Sequence, residues 1–467
     1  MIANNDIFAE LNKLYDDDHK NYDHVILFWQ ACNGQRQAQI VRRDMFEQRR
    51  DSCLAIIPML ILFQPISHEV LLPTFTHPQR LSSIILKPDS AVKILRINSK
   101  STDKQNAEKE KNIGFVNCSF NYKDSSLCEF CPRNLLTTAI QTLQKRHNLQ
   151  VKIGFEIEFN VFDSMGKPID QNTIMNLDAT LKEAEILMEI SNELKSQGIK
   201  VLNMHKEAAR GQYEIVLNYD EVMKSIDDYH FAVQVIKQHL QRDGKIVSLL
   251  PKLFEDQFGN GLHFHMSIWK NGENILGSSK GNYKLSQEGE SFMAGILSHL
   301  GALTHFLTPT PNSLNRIQAN SCAGSYKIWG IENRDASIRL IEPDSREWIP
   351  THFELKTMDH TANQYLALAA VIVSAIDGLD KQMQLPQPVN EMPKMISESK
   401  LVEICIEQLP QTYEERKKAL LSEEGDILQE FFGKQMIENI LIYADEDHKA
   451  LDGKSLEEQF KLLNHRY

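Results

Sequence analysis

The chain carries its clearest strand signal at residues 151–162, VKIGFEIEFNVF. Polar and apolar side chains alternate there, which predicts a strand over Val151–Phe162. Alternation puts Glu156 and Glu158 on one face and apolar neighbours on the other. Two like charges side by side in an apolar strand are unfavourable unless something positive neutralises them. The plainer alternative is the exposed polar face of an amphipathic strand.

Upstream, Pro132 to about Asn148 has helical apolar spacing, and a domain boundary is expected near its start. Residues 22–42 alternate strand-like stretches around Asn33-Gly34, which predicts a β-hairpin. Val70–Thr76 and Ser90–Ile97 read as short strands, and Ser99–Asn112, without a large apolar residue, reads as a solvated loop. Downstream, Leu177–Gln197 is amphipathic with Gly198 as its stop. Tyr213–Leu217 is a short strand, Asp220 opens a helix ending at Gly244, and Lys245–Leu250 and His263–Trp269 are strands. Ala362–Leu379 and much of 400–460 read as helical. The sum is an α+β chain: a small mainly-β domain over 1–130 followed by a large α+β domain over 131–467.

At 467 residues the chain has room for two or three domains and an ample core. Sixty-three Asp plus Glu against 51 Lys plus Arg give a formal net charge of −12. That balance argues against a nucleic-acid or anionic-membrane footprint and favours small molecules and metal ions. The apolar run Cys53–Phe63 is too short to span a bilayer, which takes about 20 residues. The opening MIANNDIFAELNKLYDDDHK lacks a basic start and an apolar core, so no signal peptide is expected. Seven scattered cysteines fit a reducing, cytoplasmic setting. Cys128 and Cys131 form a CxxC without nearby zinc partners; a redox pair and a chance spacing entering a helix both remain open.

Residues that could carry chemistry recur along the second domain. Glu207 and Glu214 stand around Gly211-Gln212. Gly259-Asn260-Gly261-Leu262-His263-Phe264-His265-Met266-Ser267 places His263 and His265 on one strand face, although an isolated HxH is often structural. Carboxylate-rich sites with one histidine suit Mg²⁺ or Mn²⁺. Arg316, Arg334 and Arg339 could meet phosphate or carboxylate oxygens as forks, and surface salt bridges are the alternative for each. Glu354 and Lys356 follow at i and i+2.

In this order, ExE, the Glu207–Glu214 pair, GNGLHFHMS, NRDASIR and a glutamate shortly before ANQYLALAA, the chain resembles the glutamine synthetase family over nearly its whole length. NGQRQAQIVRRDMF at 33–46 resembles that family's N-terminal β-grasp domain, and Cys131-Pro132-Arg133 its link into the catalytic domain. The resemblance implies a catalytic domain built on a curved antiparallel sheet with flanking helices. It implies ATP and two divalent ions, Mg²⁺ or Mn²⁺, with glutamate and ammonia or a small amine as substrates. Glu158, Glu207 and Glu214 would hold the metal on the glutamate side; Glu156, His263 and Glu354 would hold the one bridging the ATP phosphates. His265 and Ser267 would lie along the nucleotide, Arg334 and Arg339 on its phosphates, and Arg316 with the backbone at Gly259 on the amino acid. A homo-oligomeric ring, hexamer or dodecamer, and a cytoplasmic location complete what the family implies.

Departures from the family concern the amine. Glutamine synthetases proper carry a flap glutamate a few residues after the Arg316 position, where this chain reads Ser321-Cys322-Ala323-Gly324. Lys356 and His352 stand where arginines are usual, and the family's adenylylation tyrosine has no counterpart in Gln384–Met395. A flap without its glutamate leaves room for a bulkier nucleophile. The expected activity is therefore that of a γ-glutamyl-amine ligase. Glutamine synthesis from ammonia and a non-catalytic glutamate- or nucleotide-binding relative are the alternatives.

Overall fold

A computed structural model of the protein describes residues 22–50, 55–57, 65–66, 84–97, 111–318, 323–343, 350–396, 398–403 and 406–467. The expected strand Val70–Thr76 and most of the Ser99–Asn112 loop lie outside them, as does Cys53–Phe63 apart from a short strand at Ala55–Ile57.

The first sheet holds β1 (Tyr22–Gln30), β2 (Arg36–Arg42), β3 (Ala55–Ile57), β4 (Ile84–Pro88), β5 (Lys93–Ile97) and β6 (Lys111–Asn121). Its order is β2-β1-β6-β4-β3, with β5 beside β6. The expected hairpin is present: β1 and β2 pair antiparallel through a turn in which Gly34 has φ +84°. That turn is held from the other end of the chain. Gln30 Nε2 donates to Gly34 O at 2.9 Å, to Ala362 O at 3.1 Å and to Gln364 Oε1 at 2.9 Å. Ser90–Ile97 forms a strand only from Lys93, and Lys111 and Asn112, expected in the loop, pair with Ile97 and Arg96. Ile84 and Leu86 of β4 are fully buried within this chain.

The second sheet has ten strands: β7 (Gln150–Phe162), β8 (Val201–Lys206), β9 (Gln212–Leu217), β10 (Asp220–Glu221), β11 (Ile246–Ser248), β12 (Leu262–Lys270), β13 (Glu273–Asn274), β14 (Trp329–Ile331), β15 (Ile338–Ile341) and β16 (His352–Leu355). The order is β14-β15-β16-β12-β7-β9-β8, antiparallel except where β14 meets β15. Asp220 does not open a helix; with Glu221 it extends the edge of β7, and the helix starts at Val222. The strand expected over Lys245–Leu250 pairs only at Ile246–Ser248.

Helices α1 (Pro132–His147), α2 (Leu177–Ser196) and α3 (Val222–Arg242) pack against this sheet, and α4 (Gln364–Lys381) packs on α1. Each begins and ends as its residues dictate. Asn176 and Asn363 cap α2 and α4 by accepting from the amides of Ala179 and Leu366, and Gly198 (φ +76°) follows α2. Phe155, Ile157 and Phe159 of β7 point into this layer and are essentially inaccessible. One buried apolar cluster runs from Val25 and Phe115 of the first sheet through Phe155 to Tyr443 of a C-terminal helix. Among the described residues no helix is long and apolar enough to cross a membrane.

Candidate active site

Register alone gathers the polar residues of the second sheet on one face. Directly opposed residues share a face, and β12 sets His263 against Glu156, while β16 sets Glu354 against both His265 and Arg339. On the far side of β7, Glu158 opposes Glu214, which in turn opposes His205 of β8. Glu158, Glu214, His263 and Glu354 are buried, so the exposed polar face allowed by the sequence is not what forms.

His263 Nδ1 lies where three carboxylates converge: 3.1 Å from Glu156, 3.3 Å from Glu354 and 3.6 Å from Glu158. Glu156 meets both imidazoles, with His265 Nε2 at 2.8 Å. Burial opposes its ionisation, but those two imidazoles hold it well below the usual carboxylate range. Glu354 is likewise penalised by burial, yet Lys356 first, and then the two histidines, hold it at about 2. Lys356 Nζ donates to its Oε1 at 2.9 Å, and Arg339 Nε stands 2.9 Å from its Oε2.

Glu158 is turned differently. Its Oε2 accepts from the Gly261 amide at 2.7 Å and from Gln212 Nε2 at 3.3 Å, and burial raises its pKa. Glu207 accepts from the Ala208 amide at 2.6 Å and faces His205 Nε2 at 3.3 Å; these contacts outweigh burial and lower its pKa. Glu214 has no such relief. Burial, and then Glu156, Glu158, Glu207 and Glu354, push it up to about 10. Like charges gathered in a buried site make the neutral form of one of them the stable one.

Two sets of ligand atoms therefore stand ready for cations. Glu156, His263 and Glu354 form one, and His205, Glu207 and Glu214 the other, each with its atoms within 4.8 Å of one another. For metal–ligand bonds near 2.1 Å, adjacent octahedral ligands sit about 3 Å apart, close to the separations around His263. The donor chemistry fits Mg²⁺ or Mn²⁺.

The glycines of GNG let main chain approach the site. A Cβ on Gly259 would fall 2.0 Å from Pro251 O and 2.8 Å from Arg316 Cγ. Arg316 is buried beneath them, its Nη2 donating to the carbonyls of Lys356 (3.3 Å), Thr357 and Met358 (3.0 Å). Ser267 lies further along β12, buried, accepting from Trp269 Nε1 at 2.9 Å. Arg334 is exposed on the loop between β14 and β15.

The fold thus brings together Glu156, Glu158, Glu207, Glu214, His263, His265, Arg339, Glu354 and Lys356, with Arg316 and Gly259 beneath. Arg334 and Ser267 stand apart from the carboxylates. Sequence reasoning missed His205 and Gln212. The HxE spacing of His205 and Glu207 near a strand end was the available signal for the first. Gln212, whose amide reaches Glu158, Gly259 O and Asn260 Oδ1, stood in the Gly211-Gln212 pair noted between the two glutamates but was given no role. Cys128 and Cys131 are free and buried beside Cys32; burial pushes the Cys128 thiol up to about 12, and neither belongs to a ligand group among the described residues. Ser321 and Cys322 lie outside the described residues.

Residues 129–462 match the family described as glutamine synthetase, catalytic domain. A type-1 glutamine synthetase 1 of Dictyostelium discoideum is 29% identical over 335 residues, 68% of this chain and 67% of that protein. A gamma-glutamylpolyamine synthetase of Streptomyces coelicolor is 28% identical over 318 residues, 67% of this chain and 68% of that one. Among solved structures, a novel glutamine synthase homolog superposes with a TM-score of 0.80 at 20% identity, covering 97% of this chain and all of the other. That last likeness is one of fold.

Proposed function

Because the chain belongs to the glutamine synthetase family, and is by that membership an ATP-dependent ligase forming a C–N bond, we propose that it joins glutamate to an amine larger than ammonia. The observation that carries this reading is Ser321-Cys322-Ala323-Gly324, which offers no carboxylate where the family's flap glutamate stands. Ammonium is small, and holding it beside an acyl phosphate calls for a nearby negative charge. An alkylamine can instead gain binding from apolar contact, at ~25 cal/mol per Å² removed from water. Similarity to a gamma-glutamylpolyamine synthetase supports the same reading.

In this proposal Glu158, Glu207 and Glu214, with His205 beside the last two, hold a divalent ion on the glutamate side, and Glu156, His263 and Glu354 hold another on the ATP side. Bound Mg²⁺ or Mn²⁺ would supply charge neutralisation around the phosphates. The glutamate γ-carboxylate attacks the ATP γ-phosphorus, ADP leaves, and the amine then displaces phosphate from γ-glutamyl phosphate. Arg316 and the Gly259 backbone orient the amino acid; His265 and Ser267 line the nucleotide. Arg334 and Arg339 offset anionic charge as it gathers on the transferring phosphoryl group. The 1–130 β-grasp domain and the 131–467 catalytic domain act together in a cytoplasmic ring, hexameric or dodecameric. Six positions that all keep a competent ligand weigh against a non-catalytic relative.

Phosphate release measured with ATP, Mg²⁺ or Mn²⁺, glutamate and a panel of amines tests the proposal. A di- or polyamine or a short alkylamine should give a higher kcat/KM than ammonia at equal concentration, and Cys322→Glu should shift the ratio towards ammonia. The claim is falsified if ammonia outcompetes every amine with the parent protein; glutamine synthesis then becomes the better reading.

A further inference from the structure

We propose that Lys206 is a positioning residue whose buried ammonium, paired with Asp170, sets Glu207 and Glu214 at the spacing a divalent cation requires. The inference rests on the metal-dependent reading above. Lys206 ends β8 immediately before Glu207, and its cross-strand partner Tyr213 immediately precedes Glu214. Alternation therefore puts Lys206 and Tyr213 on the face of the sheet behind the His205, Glu214 side. There Lys206 is completely inaccessible.

Its ammonium has two carbonyl acceptors and one carboxylate at ion-pair distance. Nζ donates to the carbonyl of Glu207 and to that of Ala209 at 2.6 Å, and it stands 3.6 Å from Asp170 Oδ1. The Tyr213 hydroxyl lies 3.1 Å from the other oxygen of Asp170, so one carboxylate serves both strands. The two carbonyls held by Lys206 bracket Ala208, whose amide fixes the Glu207 carboxylate. Beyond them the Ala209 amide donates to Gln212 Oε1 at 2.8 Å, and Gln212 reaches Glu158. Burying an ammonium costs several kcal/mol unless it is paired and hydrogen-bonded. An apolar side chain would fill the same space without that cost. What the ammonium adds is a grip on the turn between two metal ligands.

The test strips the protein with EDTA, titrates it with Mn²⁺ and reads free Mn²⁺ by electron paramagnetic resonance. Lys206→Met should weaken one class of Mn²⁺ sites by about 10- to 100-fold, the usual effect of losing a group that orients a ligand. The other class should stay within about twofold, as should the effect of Lys206→Met added to Glu207→Gln. A merely structural lysine would lower both classes together and would add its effect to that of Glu207→Gln. Asp170→Asn, which keeps shape, should weaken the same class by a smaller factor. Parental Mn²⁺ binding by folded Lys206→Met overturns the inference while leaving the metal-dependent reading intact. If Lys206→Met does not fold, Asp170→Asn decides, and unchanged binding there overturns it. A parent protein that binds no Mn²⁺ overturns the reading itself and this inference with it.

Discussion

Glu214 is the residue on which the chemistry of the site bears most directly. Its pKa of about 10 arises from burial and from four surrounding carboxylates. Between its ordinary value near 4.5 and about 10, the folded, metal-free protein keeps a proton that the unfolded chain has released. Folding then takes up a proton, so this contribution is fully present at acid pH and is lost as pH rises. Glu156, Glu207 and Glu354 act in the opposite sense, their contribution being lost as pH falls below their ordinary values. We expect the melting temperature of EDTA-treated protein to fall from about pH 6 to about pH 9, and saturating Mg²⁺ to remove that fall. Metal binding should also release protons, seen as a buffer-dependent heat in calorimetry. A melting temperature flat across this range with and without metal would contradict the assignment.

Among the elements, the β1–β2 hairpin is the one whose geometry reaches furthest. Gly34 has φ +84°, and a Cβ there would meet Thr361 O at 2.0 Å. Asn363, which caps α4, donates to Ala31 O at 2.8 Å from the same segment. Three residues before Thr361, Met358 O accepts from the Leu262 amide, the start of β12 that carries His263. The hairpin thus buttresses the strand that presents the central imidazole. Gly34→Ala combines a disfavoured backbone angle with a backbone clash and should cost roughly 2–3 kcal/mol in urea unfolding. Loss below about 0.5 kcal/mol, the range of ordinary surface changes, would show that the turn is not held as described.

For the whole molecule, the proposed ring predicts a particle larger than one chain. Ile174, Met175, Leu177, Leu181, Met188 and Leu202 are each at least half exposed and are carried by α2, the loop before it and the edge strand β8. A run of such side chains on a single chain is a reason to expect association. Light scattering should therefore report a species several times the 53.6 kDa chain mass, with activity falling when dilution dissociates it. A fully active, monodisperse monomer would exclude the ring.

Local chemistry was legible from the chain alone. The period-2 pattern of Val151–Phe162, the helix stopped at Gly198 and the spacing within each carboxylate, histidine and arginine motif all depend on neighbours a few residues away, and pattern records such neighbours directly. The partners of those residues are another matter. His263 meets Glu156 across 107 residues, and nothing in the local sequence of either encodes that register. Strand pairing brought Glu214 to His205 and Glu207, set Arg339 on the carboxylate that Lys356 also holds, and buried Lys206 against Asp170. Each of these follows from which strand lies beside which and from the low dielectric that burial creates. Sequence determined which carboxylates and imidazoles this protein possesses, and the packing of distant strands decided which of them come within reach of one another.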